Sequence, residues 1–568
     1  MPGRTLRPSD HNFTIIGIAA NLIVPRNRHY QYGAFMNNDL LYLRPNIQVE
    51  PLFDQWYAWP HLIPPATAAC NLKERHLKIM DSYISAPQVH SAAVRNPKML
   101  GGPFMDFGGK RVEEVKALRD ETKNKRGKLL DLARDLGELD ALLRANAKGY
   151  SLHPLYERVP EGLKGYVELA YDLKNNPGFR LLEPLIYRSD YYDTSTQSLM
   201  LSLISADDRP FVLSTPRLDG DGCLHLRWPF SDSRVDYLFE LKTKPRMLSQ
   251  IQDALGLTDE ETIRLKPLLT DEPPPPYQPY TGDGIRWRYL GHACILIEAQ
   301  GISVLVDPVL SYTYESQLSR YTYADLPDII DYVLISHNHQ DHMMFETMLQ
   351  LRHKIRNIVV PRNGGGALQD PSLRLILENT GFRNVYEMSE LERLDFQSGS
   401  ITGLPFFGEH CDLAVHTKLG YLVQFGTSSL LFAADSCNIE PRLYEHLRKA
   451  LGPIDVLFLG MECDGGPFSW LYGPLLFTRM ERAMDESRRL NGSNYDQAIR
   501  IVEALNCKQV YVYAMGQEPW LGYIMSLKYT EHSRPIIESN RLIKECSEHG
   551  VFAERLFGEK EILIENIH

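Results

Sequence analysis

The stretch LISHNHQDHMM, residues 334–344, constrains the fold of this chain more than any other segment. It places His337, His339, Asp341 and His342 directly after the apolar run DYVLIS. Imidazoles this close repel one another when they are charged and are poorly accommodated when they are buried and neutral. Because a bound cation would remove both costs, the stretch predicts a metal site in a loop that follows a buried strand.

The spacing within this stretch lets one loop serve two metal ions. Alternation along an extended chain points His337 and His339 in the same direction. Asp341 and His342 begin the following turn and face a second position. The other interpretation is a polar loop whose histidines are fortuitous, and the strand before it and the helix after it disfavour that interpretation.

Length, charge and cysteine content predict a globular protein of two domains. The 568 residues exceed one compact domain, and 43% hydrophobic residues supply an ample core. The net charge of -11 and the pI of about 5.9 argue against a nucleic-acid partner, because such proteins carry basic stripes. The eight cysteines include no CxxC pair, which favours reduced thiols over a disulfide framework.

The apolar segments predict a protein that neither enters a membrane nor is secreted. The stretch IIGIAANLIV, residues 15–24, is short and lacks the basic region and cleavage site of a signal peptide. No apolar run reaches the ~18 residues that a membrane helix needs. We therefore expect a soluble, cytoplasmic protein.

A proline-rich spacer, TDEPPPPYQPYTGDG, divides the chain and predicts a domain boundary near residue 282. Before it, residues 1–282 are expected to form an α+β domain with short β-like runs such as RPFVLST and CLHLRW. Within residues 111–147, leucines at alternating steps of three and four predict one long amphipathic helix. Packing of this helix within its own domain is favoured, and a contact between the two chains of a homodimer is the alternative. The stripe consists of Leu129, Leu132, Leu136, Leu139 and Leu143.

The second half, residues 283–568, has a different pattern. It opens with three short β-rich runs, IRWRYLG, CILIEAQ and ISVLVDP, and continues with alternating strands and helices from DYVLIS to NVYEMS. A second series of strands follows, with GSITGLPFF, LGYLVQFG, SLLFAADS, IDVLFLG and KQVYVYAMG. The pattern predicts a layered α/β architecture with two sheets covered by helices on their outer faces.

The HxHxDH motif after a strand, preceded by LVDP about thirty residues earlier, resembles the metallo-β-lactamase fold from about residue 285 onward. The resemblance implies a C-terminal αββα sandwich. It also implies that Asp307 of LVDP orients the site without binding metal, and that Asp435 of FAADS is the bridging carboxylate. The alternative for Asp435 is a strand-end residue that caps the next turn.

Two further ligand positions stay open at this level. The segment FFGEHCD offers His410, as hydrolases of this fold would use, or Glu409. Neighbouring residues on an extended chain face opposite ways, so only one of them is expected to bind metal. The last histidine of the fold is missing from VYVYAMGQEPW, and Glu518, His532 and His549 are weak substitutes.

The whole chain resembles the diiron oxygenases of this fold, the family of the diiron β-hydroxylase of chloramphenicol biosynthesis. The shared features are the domain order and the segments HNHQDH, GEH and AADS at similar separations. The resemblance implies Glu409 as ligand, with Glu409 and Asp435 as catalytic carboxylates. The ligand set that it implies is His337, His339, Asp341, His342, Glu409 and Asp435.

This resemblance implies an O2-dependent non-haem diiron monooxygenase that uses two Fe and an external electron donor such as a reductase. Its substrate would be derived from an amino acid. Hydroxylation would fall on the β-carbon of an aminoacyl group tethered to a peptide-synthetase carrier domain, in antibiotic biosynthesis; a free amino acid or peptide is the alternative. The competing function is a hydrolase with two Zn that acts on an ester, amide or phosphodiester. A third is a degenerate scaffold without activity.

Several residues near the motifs are candidates for the pocket. Glu462 and Trp470 in GMECDGGPFSW follow an apolar strand and are expected to line it, in an outer-sphere or structural role. The aromatic run WYAWPH, residues 56–61, is a candidate cover for the active-site mouth, with ordinary packing favoured. Cys411 and Cys437 flank predicted ligands and are interpreted as packing residues, because thiolate ligands would favour zinc.

Overall fold

The structure, a computed structural model, describes residues 39–565, so the apolar stretch of residues 15–24 lies outside the described part. Within these residues no helix is both long and apolar enough to cross a membrane. The strands of the first half and those of the second half form separate sheets. Residues 271–284, which include the proline run, contain neither helix nor strand.

The first half is a mixed α+β unit with three small sheets. Their strand orders are β8-β1-β9, β3-β2-β6-β7 and β4-β5. The strands are β1 Leu40–Leu43, β2 Ile47–Phe53, β3 Trp56–Tyr57, β4 Val167–Tyr171, β5 Pro177–Leu181, β6 Gln197–Leu203, β7 Cys223–Leu226, β8 Arg246–Met247 and β9 Leu269–Thr270. The helices are α1 Pro65–Asn71, α2 Leu77–Ser85, α3 Pro87–Ala93, α4 Val112–Lys125, α5 Gly127–Asn146, α6 Glu183–Ile186, α7 Ser233–Glu240, α8 Leu248–Leu255 and α9 Asp259–Leu265, with a π-helical turn Leu72–His76 between α1 and α2.

Two predictions for the first half need correction. The predicted long helix is two helices, α4 and α5, which meet at Arg126. The guanidinium of Arg126 binds Asp54 at 2.7 Å and Asp193 at 2.5 Å, and this anchor fixes the break. The run RPFVLST is not a strand, because Phe211 adopts a left-handed backbone (φ 56°) before a 3-10 turn. The leucine stripe on α5 is buried in the main core, as its packing interpretation predicted.

The second half is an αββα sandwich, as predicted. Its two seven-stranded sheets have the orders β15-β14-β13-β12-β11-β10-β23 and β16-β17-β18-β19-β20-β21-β22. The strands are β10 Ile285–Gly291, β11 Cys294–Ala299, β12 Ile302–Val306, β13 Ile330–Leu334, β14 Ile355–Pro361, β15 Val385–Met388, β16 Arg393–Phe396, β17 Gly399–Leu404, β18 Gly420–Phe425, β19 Ser428–Phe432, β20 Val456–Gly460, β21 Gln509–Tyr513, β22 Phe552–Arg555 and β23 Lys560–Ile564. The helices are α10 Phe345–Leu351, α11 Leu373–Asn379, α12 Arg442–Leu451, α13 Phe468–Tyr472, α14 Arg482–Ser487, α15 Tyr495–Leu505, α16 Gly522–Met525 and α17 Arg534–Glu548.

Side-chain alternation along the strands produces the layers. Trp287 of β10 faces the space between the sheets, where it makes edge contacts with Phe458 and Tyr511. Helices α12, α15 and α17 bury their apolar faces on the outer side of the second sheet. Helices α10 and α11 lie over the first sheet, in one continuous apolar core with the first half of the chain. The first half therefore covers the helical layer of the first sheet.

A buried ionic network joins the two halves. Arg209 of the first half donates to both carboxylate oxygens of Glu346 on α10, at 3.0 and 2.9 Å, and lies 3.2 Å from Glu50. The hydroxyl of Tyr57 also donates to Glu346, at 2.8 Å. Because buried charges are tolerated only when they are well paired, this network favours one seating of the first half on the sandwich.

Candidate metal centre

The predicted metal-binding residues converge at the carboxyl ends of strands from both sheets. The HNHQDH loop follows β13, Asp307 follows β12 and Asp435 follows β19. Several turns there use left-handed backbone at non-glycine residues, namely Asp307 (φ 40°), Glu409 (φ 66°) and Ala434 (φ 48°). Such conformations cost free energy and are concentrated at functional sites, where the surrounding structure holds them.

One group of potential ligands consists of His337, His339, Glu409 and His410, whose ligand atoms lie within 4.8 Å of one another. Glu409 Oε1 is 2.6 Å from His339 Nδ1, and Glu409 Oε2 is 2.8 Å from His410 Nδ1. The expectation that Glu409 and His410 face opposite ways is wrong, because the left-handed backbone at Glu409 replaces the extended chain on which it rested. Both side chains point into the centre.

Two further groups complete the centre. His292, Asp341 and His342 form one, and His337, His342 and Asp435 form the other. Asp435 Oδ2 is 3.1 Å from His342 Nε2, and Asp341 Oδ2 is 3.1 Å from His292 Nε2. Asp435 therefore lies between the two sides of the centre, where a bridging carboxylate is expected.

Asp307 supports the centre from behind the ligands. Its carboxylate accepts hydrogen bonds from Ser336 N at 2.7 Å, from Ser336 Oγ at 2.7 Å and from His342 Nδ1 at 2.8 Å. Ser336 Oγ in turn lies 2.9 Å from His337 Nδ1. These contacts engage the Nδ1 atoms of both histidines and leave their Nε2 atoms for a metal, an arrangement typical of metal-binding histidines.

His292 joins the centre without having been predicted from the sequence. It lies in the turn between β10 and β11 with a left-handed backbone (φ 51°), and its carbonyl accepts a hydrogen bond from Ala514 N at 2.9 Å. Ala514 lies in the segment where the last histidine of the fold was sought, so this backbone contact places the GHA turn next to that segment. The signal in the sequence was the single imidazole of the GHA turn, between the two β-rich runs IRWRYLG and CILIEAQ.

The three weak substitutes named from the sequence do not join these groups. Glu518 is buried and accepts a hydrogen bond from Tyr289 Oη. His532 and His549 are exposed. Within residues 39–565, none of the three belongs to a group of potential ligands.

Charge interactions at the centre suit a cation. Burial raises the pKa of Glu409, but the nearby imidazoles of His339 and His410 outweigh it and hold that pKa well below the usual value. Burial and the neighbouring His342 lower the pKa of His337, so this ring stays neutral and able to bind metal. Burial and the adjacent carboxylates raise the pKa of Glu462 well above its usual value. A divalent cation would offset the repulsion between Glu462 and these neighbouring carboxylates.

The residues present fit a pair of metal ions by a second criterion. Several buried polar atoms at the centre have no hydrogen-bond partner among the described residues, although buried polar groups are nearly always paired. They are His337 Nε2, Glu409 Oε2, His410 Nε2 and Asp435 Oδ1; the contact of Glu409 Oε2 with His410 Nδ1 lies outside hydrogen-bond geometry. Because all four side chains belong to the groups of potential ligands, these unpartnered atoms mark the space that metals would fill.

A cavity of about 190 Å³ opens onto the centre. Its floor includes Asp341, Glu409, Asp435 and Glu462, and its walls are largely apolar. The apolar lining residues are Trp470, Leu471, Leu490, Ile524, Met525 and Leu527 from the second half and Leu100 from the first half, which also contributes Gly101. Glu462 and Trp470 thus lie where the sequence predicted them.

The aromatic run of residues 56–61 lies behind the centre and does not line this cavity. Trp56 stacks on His76 within the first half, with ring centroids 4.1 Å apart. His61 packs against Tyr472, near the metal-site histidines. Cys411 and Cys437 are buried free thiols that belong to no group of potential ligands within the described part of the chain.

Histidine and carboxylate groups on both sides of a shared aspartate, at the strand ends of an αββα sandwich, define a dinuclear-metal enzyme of the metallo-β-lactamase superfamily. Comparison with known proteins agrees. Residues 303–511 match the beta-lactamase superfamily domain, and residues 42–273 match the diiron non-heme beta-hydroxylase N-terminal domain.

Relatives narrow the class further. The 4-amino-L-phenylalanyl-[CmlP-peptidyl-carrier-protein] 3-hydroxylase of Streptomyces venezuelae is 40% identical over 523 residues, which are 90% of this chain and 98% of the relative. The crystal structure of CmlA, a diiron beta-hydroxylase from Streptomyces venezuelae, matches with a TM-score of 0.87 and 39% identity, over 93% of this chain and all of that one. A metal-dependent hydrolase of Methanopyrus kandleri is 26% identical over 162 residues, 27% of this chain and 62% of that protein.

The chain belongs to the diiron non-haem β-hydroxylase family. It is therefore a non-haem diiron hydroxylase whose cofactor is a pair of irons. This assignment selects the oxygenase over the zinc hydrolase and the inactive scaffold that the sequence had left open.

Proposed function

We propose that this enzyme hydroxylates the β-carbon of an aminoacyl group held as a thioester on a peptidyl carrier protein, in the biosynthesis of an antibiotic or related natural product. The activity in the name of the Streptomyces venezuelae relative supports this proposal, because that relative is matched over 98% of its length. The observation that carries it in the structure is the cavity, which has apolar walls and ends on the carboxylates of the metal centre.

We propose that one iron is held by His337, His339 and Glu409, and the other by Asp341 and His342. Asp435 would bridge them, and Asp307 would orient His342. The unpartnered atoms His337 Nε2, Glu409 Oε2 and Asp435 Oδ1 support this assignment. His410 lies with the ligands of the first iron and His292 with those of the second, and Glu462 lines the cavity beside the centre.

The bound iron pair would supply the electrons that reduce O2 and allow one of its oxygen atoms to enter a C–H bond. The protein would contribute position and environment. The carboxylates would offset the charge of the metals, and a set of two histidines and one carboxylate on one metal would leave positions open for O2. Trp470 and Leu471 exclude water from the cavity and hold the substrate side chain. Two electrons from an external donor and two protons balance the reaction, because the second oxygen atom leaves as water.

We also propose that the division between a substrate-covering domain and the catalytic domain lies near residue 282. Three observations support this division. Residues 271–284 lack helix and strand, the sheets do not cross this segment, and the two family matches fall on opposite sides of it. The first domain contributes Leu100 and Gly101 to the lining of the cavity.

The test uses iron-loaded enzyme, a chemical reductant and 18O2, with one amino acid offered either as a carrier-protein thioester or free. We expect label from O2 at the β-carbon of the thioester substrate and negligible turnover of the free amino acid. A set of aromatic and aliphatic aminoacyl thioesters should be compared. Equal turnover of the free amino acid would overturn the carrier requirement, and label taken from water would overturn the oxygenase mechanism.

A further inference from the structure

The two ring nitrogens of His339 have different partners. Nδ1 lies 2.6 Å from Glu409 Oε1, on the side of the metal centre. Nε2 lies 3.2 Å from Tyr472 Oη, on the opposite side. If Nδ1 binds the metal, as in the ligand assignment proposed above, Nε2 carries the ring proton. Nε2–H then donates a hydrogen bond to the Tyr472 oxygen.

Tyr472 is well placed to hold this ring. It is the last residue of α13 and is 1% exposed, and its ring packs 5.7 Å from Phe468 on the same helix. Burial raises the pKa of its phenol well above the usual value, so the hydroxyl stays neutral. A neutral, immobile acceptor fixes both the tautomer and the plane of a metal-binding histidine.

The other side of Tyr472 is closed by the first half of the chain. The His61 ring lies 6.1 Å from the Tyr472 ring and is fully buried. Neither nitrogen of His61 has a hydrogen-bond partner among the described residues, and burial lowers its pKa to about 3. A neutral imidazole without polar partners acts here as a packing residue: its ring is tilted by 56° against Tyr472, and Trp59 stacks on it at 5.0 Å.

A second contact ties the same part of the first half to α13. Arg75 donates to the carbonyl of Trp470, two residues before Tyr472, and its guanidinium lies 5.9 Å from the Trp59 ring. Arg75 belongs to the π-helical turn Leu72–His76. Such turns insert one extra residue into a helix and are common at functional sites.

From these contacts we infer that Tyr472 is a positioning residue for His339, and that His61 holds Tyr472 in place from the first half of the chain. This inference rests on the proposed binding of metal by His339. The first half therefore does more than cover the substrate: it sets the geometry of one metal ligand through a path of three rings.

The test measures metal binding by the full-length enzyme, without substrate. Metal-free protein is titrated with Co(II) against a chelator, and the ligand-field spectrum is recorded at each of the two sites. In Tyr472→Phe, we expect the affinity of one Co(II) to fall about 10- to 100-fold, as for other outer-sphere partners, with a changed spectrum at that site only. The matched control is Tyr511→Phe, a buried tyrosine whose hydroxyl contacts Gln509.

The role of His61 is tested with a double-mutant cycle. His61→Ala should weaken the same Co(II) site in the wild-type background and have no further effect in Tyr472→Phe. An equal loss in both backgrounds would overturn the path through Tyr472. If Tyr472→Phe does not fold, an exchange-protected, paramagnetically shifted imidazole N–H of His339 in the Co(II)-loaded wild type is the second measurement, and its absence would overturn the inference.

These outcomes are separate from the test of function. An enzyme that binds two Co(II) with the predicted losses but fails to hydroxylate a thioester would overturn the proposed substrate and leave the role of Tyr472 standing. Two metals bound with wild-type affinity and spectrum in Tyr472→Phe would overturn that role, whatever the substrate. A wild-type protein that binds no metal would overturn both.

Discussion

The two sides of the metal centre are supported from different parts of the molecule. On the side of Asp341 and His342, the supporting groups are Asp307 and the GHA turn, which belong to the first sheet itself. On the side of His339, the support comes from Tyr472 on a helix beyond β20 and, behind it, from the first half of the chain. One side of the dinuclear site is thus supported within the first sheet, and the other through a helix of the second half that packs on the first half.

The largest effect should separate the two adjacent candidates on the His339 side. In Glu409→Ala, the centre loses a carboxylate with an unpartnered oxygen, and we expect hydroxylation to fall by more than about 100-fold, since outer-sphere losses alone cost 10- to 100-fold. His410→Ala should be milder. Turnover of carrier-bound substrate measures both. A greater loss in His410→Ala would transfer the ligand role to the histidine.

The next largest effect should come from breaking the ionic network that joins the first half to the sandwich, and it should appear in the free energy of unfolding. Arg209→Met leaves Glu346 and Glu50 buried without their shared cation, and we expect a loss of about 3–5 kcal/mol in the free energy of unfolding. Denaturant unfolding of metal-free protein measures it. The control is Arg134→Met, an exposed arginine on α5, which should change stability by no more than about 1 kcal/mol. Equal stability of the two variants would show that the network does not hold the halves together.

Asp307→Asn tests how much the first sheet itself contributes to holding the metal-binding residue His342. The substituted side chain loses a carboxylate acceptor for His342 Nδ1–H, so metal affinity on this side should fall about 10- to 100-fold. Chelator competition with Co(II) gives the affinity. Asp455→Asn is a matched control, because Asp455 makes the corresponding contacts to Ser429 N and Oγ at the other sheet. Similar losses in both variants would point to a general effect on folding.

The smallest effect is expected at the residue that the sequence analysis missed. His292 Nε2 contacts Asp341, so His292→Asn should lower the affinity for one metal by about 10-fold and leave the Glu409 side unchanged. Metal content after dialysis against a graded chelator series is the measurement. Loss of both metals would mean that His292 supports the whole centre.

Much of this architecture was predictable because local pattern and tertiary position coincide at strand ends. Asp307, the HNHQDH loop and Asp435 each follow an apolar strand, and the sheet order brings those ends together. The orientation of His410 was not predictable, because it depends on the left-handed backbone at Glu409.

Other features depend on contacts that sequence patterns do not carry. The break between α4 and α5 falls at Arg126, whose ion-pair partners are distant in the chain. The leucine spacing runs along α5 alone and does not reveal this break. Tyr472 and His61 are separated by hundreds of residues and meet only after the two halves pack. Neither has a motif of its own.

Anomalous diffraction at the iron edge, from crystals of enzyme loaded with Fe(II), would locate the metals and their ligands directly. We expect two iron peaks about 3.5–4 Å apart, on either side of Asp435, with Glu409 bound to the iron on the His339 side. A single peak, or two peaks with the Glu409 carboxylate turned away from both, would contradict it.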